Sequence, residues 1–258
     1  MLGKDWAGGG IVLINDVAGG YLITTKVLIS GTYHKSLGIS GNQYLSIGIG
    51  GGFVQKSVKY GKYTYDNQWT PTGFNGDMLS GETFNNSIGY GDFHSGINYT
   101  NRPTQTLKFY GGVSAFHLSS PQETFLDLAN DSISTDRLGL RPVIHGGSEI
   151  NINETINLMP GFLIMLQKSA KDIMAGTSAG YVISESSGVK NEVLLGAWFR
   201  TSGSLIAMTG IKFSGFTVGL SYDWQFGELR QVDGIGAMEL SLIYEAKPPG
   251  KRMAVPGL

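Results

Sequence analysis

The chain has 258 residues, enough for one large β domain or one barrel, and a formal net charge of -1, which gives no basic field to draw nucleic acid. Only 15% of residues are charged while 39 are glycine, a balance that disfavours a helical bundle, because glycine costs about 1 kcal/mol per helix position relative to alanine. With no cysteine there is neither a disulfide framework nor a thiolate metal site, and no apolar stretch approaches the roughly 18 residues of a membrane-spanning helix.

Met1-Leu2-Gly3-Lys4-Asp5-Trp6 lacks the basic start, apolar core and small-residue cleavage site of a secretory signal. From Ala7 to Glu245 the chain is a series of short alternating segments divided by turn residues. Early on, Ile23, Thr25, Val27, Ile29 and Tyr33 alternate with Thr24, Lys26, Ser30 and His34. Leu45, Ile47, Ile49 and Phe53 then face away from Ser46, Gly48, Gly50 and Gly52. The clearest case is late in the chain, where Phe216, Val218, Leu220, Tyr222, Trp224 and Phe226 alternate with Thr217, Gly219, Ser221, Asp223 and Gln225. Met238, Leu240, Leu242 and Tyr244 repeat it. Period-two alternation places the two sets on opposite faces of a strand.

Read this way, the sequence predicts about twelve strands, near 7–15, 21–34, 43–58, 88–100, 106–118, 141–152, 156–167, 173–183, 192–200, 204–213, 216–226 and 235–245. Most are long enough to cross a bilayer at a tilt. Sequential antiparallel strands put alternate connections on opposite ends. Both long connections, Lys59 to Ser87 and Ser119 to Leu140, fall on one end, and the other end holds only short turns such as Ser214-Gly215. That asymmetry is the outer-membrane pattern, with long loops outside and turns in the periplasm. The expected fold is all-β, an antiparallel transmembrane β-barrel over 1–245, followed by a flexible periplasmic tail over 246–258.

Several patterns carry possible chemistry. Gly176-Thr177-Ser178-Ala179-Gly180 matches G-x-S-x-G, but that motif works at a strand-to-helix turn and here lies inside an alternating strand. His34, His94, His117 and His145 sit on four strands without metal-like spacing, although His94 and His117, on neighbouring strands, are placed to approach one another. Asp127, Asp131 and Asp136 share a loop without the EF-hand run. No catalytic, metal or cofactor site is expected. In the loop Lys59 to Ser87, Tyr60, Tyr63, Tyr65, Trp69 and Phe74 interleave with charged residues, a composition suited to contacting a protein or glycan. Trp224, Phe226, Tyr244 and Tyr99 fit interfacial girdles.

An ordered series of segments spans nearly the whole chain. It begins with Asn15-Asp16-Val17-Ala18-Gly19, Thr24-Thr25, Tyr33-His34 and Leu37-Gly38. It continues through Gly52-Phe53-Val54-Gln55-Lys56-Ser57, Gly73-Phe74, Ser80-Gly81-Glu82, Phe116-His117-Leu118, Pro121, Leu140-Arg141 and His145-Gly146-Gly147-Ser148-Glu149. It ends with Leu195-Gly196-Ala197-Trp198-Phe199-Arg200, Gly219-Leu220-Ser221-Tyr222-Asp223 and Gly236-Ala237-Met238-Glu239-Leu240-Ser241-Leu242. In this order the segments resemble the PorP/SprF family of type IX secretion system membrane proteins.

Family members usually begin with a signal peptide, an Asn-Pro-Ala-Tyr-Ala-Gly-like segment and one or two more strands. The resemblance therefore implies a chain lacking its N-terminal strands and a complete barrel of about fourteen. It further implies a bacterial outer-membrane location and a role in secreting or retaining large surface proteins, such as adhesins, through their C-terminal sorting domains. The implied partners are that secreted protein, other type IX components and outer-membrane lipid. The alternatives are a pore or small-hydrophobe transporter on a similar barrel, and a soluble β-sandwich adhesin. Inward positions rich in Gly, Ser and Thr disfavour an ion-selective pore.

Overall fold

Alternation governs the local structure throughout, because a residue pattern of period two can bury one face of an extended strand and no face of a helix. The computed structural model describes residues 5–19, 21–38, 41–59, 63–78, 85–125, 137–186, 189–226 and 236–245. The first three strands are β1 (Trp6–Ala18), β2 (Leu22–Leu37) and β3 (Gln43–Val58). A 3-10 turn, Asp66–Gln68, precedes two short strands, β4 (Trp69–Thr70) and β5 (Gly73–Phe74). The chain then returns to long strands with β6 (Ser87–Asn101), β7 (Leu107–Phe116), β8 (Arg141–Asn151), β9 (Ile156–Gln167) and β10 (Ala170–Ser186). The last four are β11 (Val189–Arg200), β12 (Ser204–Phe213), β13 (Phe216–Gln225) and β14 (Ala237–Tyr244).

All long strands join one 12-stranded antiparallel sheet in chain order, with β4 and β5 as a separate ribbon. The strand positions expected from alternation are thus recovered, several of them longer than expected. β2 continues to Leu37 and β10 runs from Ala170 to Ser186. The β4–β5 ribbon is an addition, since two-residue strands leave no period to read. The expected barrel is met only as this sheet: β1 and β14 are not paired with each other. The sheet-on-sheet packing of a sandwich is absent among the described residues.

Turn chemistry fixes the register at the short-turn end. Ser214 and Gly215, at φ 48° and 86°, form a two-residue loop with both residues in the left-handed region, the geometry that matches the twist of a hairpin. Phe213 then faces Phe216, and the pairing runs on to Ser204 opposite Gln225.

The two faces of the sheet differ sharply. Cross-strand partners carry one face around the wall: Ile11 opposite Ile29, Ile47 opposite Ile97, Val113 opposite Ile144, Ile144 opposite Ile164, and Val218 opposite both Ile211 and Leu242. Most of these apolar side chains are exposed, Ile11 at 68% and Leu240 at 79%. The opposite face holds the buried residues, among them Val54, Val143, Asp92, Lys108, Glu192 and Ser204. A single sheet buries one face and bares the other when it curls, so the polar face is the inner, concave one. Long stretches of exposed apolar wall are what lipid contact requires and what water penalises.

Candidate functional site

Charges are segregated on this wall. Lys26, Lys56, Asp92, Lys108, Glu149, Asp172, Glu192 and Arg200 all belong to the inner face by alternation and register. These charges stand among inward positions that are, as expected, rich in Gly, Ser and Thr. About one charge per strand escaped notice because each is isolated in its own segment. On the outer face, described charges within β1–β14 are confined to strand ends, as at Lys35 and Lys171. Aromatic rings flank the aliphatic band between. Phe199, Trp224 and Phe226 lie toward the long-loop end, and Tyr33, Phe213, Phe216 and Tyr244 toward the short-turn end. Phe216 and Tyr244 pack at 4.6 Å and Phe199 and Phe226 at 6.1 Å. Tyr99 is half-buried, 6.3 Å from Phe109. Aromatics gathered toward both strand ends over β11–β14, with aliphatic residues between, match the arrangement of interfacial girdles.

The aromatic loop between β3 and β6 is folded. Tyr60 lies outside the described residues, as does Ser80-Gly81-Glu82. Tyr63 packs edge-on against Tyr21 of the first hairpin at 5.2 Å. The Tyr65 backbone N–H donates to Gln68 Oε1 at 3.0 Å, closing the 3-10 turn. Trp69 and Phe74 face each other across the β4–β5 ribbon with centroids 5.3 Å apart. They remain 62% and 49% exposed. The structure therefore splits the expected contact residues, docking Tyr63 against the β1–β2 turn and leaving Trp69 and Phe74 as one protruding apolar pair.

The second long loop turns inward. Leu118 N–H donates to Phe93 O at 3.0 Å and Ser119 Oγ to Gly91 O at 3.1 Å, laying the loop along β6. Glu123 then reaches the inner face, where it pairs with Lys56 of β3 and accepts the Tyr90 hydroxyl of β6 at 2.7 Å. Burial pushes the Glu123 carboxyl up, but the hydrogen bonds from Lys56 and Tyr90 outweigh it and hold the group below its ordinary value. Asn85 N–H donates to Phe125 O at 2.8 Å, so the two long loops are tied together at one mouth of the curled sheet. Asp127, Asp131 and Asp136 lie outside the described residues, as do the first four residues and the expected tail.

The histidines follow the register. His94 does not meet His117; it stacks on Phe116 at 5.4 Å, while His117 Nδ1 bonds Asp92 Oδ2 at 2.9 Å. His34, His94 and His145 line one recess on the inner face, of about 330 Å³. No group of three or more metal-ligating side chains forms among the described residues. Ser178 sits mid-strand in β10, accepting the Trp198 indole N–H at 3.3 Å and lying 3.4 Å from Met208 Sδ. A hydroxyl held by a tryptophan inside a strand ladder has neither the sharp turn nor the histidine that activates a nucleophile.

Around Trp198 the inner wall is apolar. A Cβ added at Gly161 would meet the indole at 3.1 Å and one at Gly176 at 2.7 Å, so the ring lies across both glycines. Met159, Leu163, Met174, Ile206 and Met208 are half-buried inner-face residues of β9, β10 and β12 around it.

The sequence model of one protein family, described as type IX secretion system membrane protein PorP/SprF, matches residues 1–244. No curated protein matches the chain. A match of that extent establishes membership.

Proposed function

We propose a role for a chain that belongs to the PorP/SprF family of type IX secretion system membrane proteins: it is an outer-membrane barrel that assists the secretion or surface attachment of large proteins, such as adhesins, through their C-terminal domains. The observation that carries the membrane reading is the confinement of outer-face charge to strand ends, beside a mid-strand band that is mostly aliphatic and exposed. In lipid every strand edge must be paired, because each unsatisfied backbone group costs several kcal/mol. Along the eight-residue β14 alone that penalty is on the order of tens of kcal/mol, so the edges at β1 and β14 are closed in the membrane, by each other or by further strands. A barrel of about fourteen strands, with the tail over 246–258 in the periplasm, fits this requirement.

The mouth bearing both long loops faces outward in this reading. Trp69 and Phe74, with Tyr60, Tyr63 and Tyr65 in the same loop, supply the contact surface for the secreted partner. Other type IX components are the remaining protein partners. A second reading, passage of a small hydrophobe, is favoured by the apolar floor around Trp198 and its neighbouring methionines, which a water-filled pore would not select.

Deletion of the gene separates the two. The secretion role requires loss of surface display of proteins bearing the C-terminal sorting domain, with small-solute uptake unchanged. Normal display together with impaired uptake of apolar solutes would replace it with the transport reading.

A further inference from the structure

We infer that Lys56 and Tyr90 form a binding site for a peptide carboxylate on the inner face of the sheet, that Glu123 is its resident occupant, and that an acidic peptide taking the site frees the loop that carries Glu123. The occupant itself shows what the site accepts. Lys56 of β3 donates to Glu123 Oε1, and the Tyr90 hydroxyl of β6 donates to Oε2 at 2.7 Å, one donor for each oxygen of the carboxylate. An ammonium offers donors only, so the partner of Lys56 must be an acceptor. Lys26 of β2 adds a second positive charge acting on the same carboxylate. The Lys56 and Glu123 side chains keep 20% and 22% of their surface exposed, so a competitor can reach the pair from solvent.

Charge asks for an anion there. In the parts of β1–β8 nearest the long loops, the inner face carries Lys26, Lys56 and Arg141 against Asp16 and Asp92. His117 adds no charge at neutral pH, since burial pushes its imidazole down. Glu123, whose carboxyl is held below its ordinary value and is therefore ionised, neutralises the remaining positive charge. Without it the neighbouring cations repel one another, and the vacated site calls for another acid.

The limb that delivers Glu123 is tied to its own loop. Pro121 O accepts the Leu138 N–H at 2.8 Å, Gln122 bridges Arg137 in antiparallel fashion, and Arg137 Nη1 donates to Ser120 O at 3.3 Å. Glu123 is thus presented beside a strand-like pairing, as an extended acidic peptide would present its own side chain. Docking also carries backbone strain: His117 and Ser120, at φ 61° and 41°, are non-glycine residues in the left-handed region. A free peptide bears none of it. At the far end of the limb Phe125 O accepts the Asn85 N–H at 2.8 Å, so release of Glu123 loosens the tie to the loop that carries Trp69 and Phe74.

The site stands whether or not the chain serves secretion, and it is tested on the purified full chain folded in detergent. The probe is fluorescently labelled Ser-Ser-Pro-Gln-Glu-Thr-Phe-amide, the sequence of residues 119–125, followed by anisotropy. Glu123→Gln vacates the site and should bind this peptide saturably, at least about tenfold more tightly than the unaltered chain, in which the tethered carboxylate competes at high effective concentration. Adding Lys56→Gln should weaken that binding about tenfold, through loss of a charge-assisted hydrogen bond, whereas adding Lys212→Gln on the inner face of β12 should not. The same peptide with glutamine in place of its glutamate should not bind. Folded migration on unboiled gels qualifies each variant, and the glutamate and glutamine peptides on Glu123→Gln alone carry the test if the double variants do not fold. Absence of saturation on Glu123→Gln, equal binding of the glutamine peptide, equal binding to the unaltered chain, or displacement of the peptide by an equal concentration of inorganic phosphate would each overturn the assignment.

Discussion

Leu220 and Ser221 are adjacent in β13 and point to opposite sides of the wall, which makes them a matched pair for placing a charge. Leu220 lies mid-strand on the outer face between Thr209 and Leu240 and is 43% exposed. Were the protein surrounded by water, Leu220→Arg would be an ordinary surface substitution, worth within about 0.5 kcal/mol. In a bilayer the same arginine stands near the midplane and costs about 2 to 4 kcal/mol. Ser221→Arg enters the inner face opposite Glu239, where a partner of opposite charge awaits it, and should cost less than about 1 kcal/mol. Urea titration of both variants folded into phospholipid vesicles, followed by the fraction migrating as folded on unboiled gels, measures the difference. Equal costs for the two substitutions, or a cost below about 0.5 kcal/mol for Leu220→Arg, would refute the assignment of the outer face to lipid.

Glu123→Gln should loosen the inward loop, speeding tryptic cleavage after Arg137 at neutral pH relative to the unaltered chain. Because the Glu123 carboxyl is held below its ordinary value of 4.5 when folded, its contribution is present above that value and is lost as the pH falls through the lowered one; hydrogen exchange over residues 118–125 should rise accordingly, and an unchanged rate at acid pH would contradict the latch. Gly176→Ala would place a Cβ 2.3 Å from Ala197 O, costing about 1 to 3 kcal/mol, whereas Gly31→Ala meets nothing within 4 Å and should be near neutral in the same urea titration. Trp69→Ala with Phe74→Ala should weaken binding of a secreted partner's C-terminal domain by about 2 kcal/mol or more in a pull-down titration, with folding unaffected.

The strands were legible because each solves the same problem locally: Val218, Leu220 and Tyr222 need one environment and Thr217, Gly219 and Ser221 another, and the period shows it without knowledge of any partner. Loop parity was legible for a similar reason, since it needs only the strand count. What could not be read was register. His34, His94 and His145 are far apart in sequence and share a recess only because β2, β3, β6, β7 and β8 pair at particular offsets. The same ignorance placed His94 near His117, where the structure puts Phe116 and Asp92 instead. Glu123 was invisible as an inner-face residue because a loop's inward fold depends on Lys56 and Tyr90, distant residues that receive it. The glycines had a compositional meaning first and a geometric one only later: Gly161 and Gly176 make room for Trp198, a relation that spans three strands.

Everything else depends on the curled sheet being a closed wall in the outer membrane, and the behaviour of the native protein on gels tests that directly. Outer membranes extracted with detergent should yield the protein, and it should migrate differently before and after boiling, as closed barrels resist denaturation by detergent until heated. Recovery as a soluble monomer without detergent, with one mobility at both temperatures, would contradict the barrel.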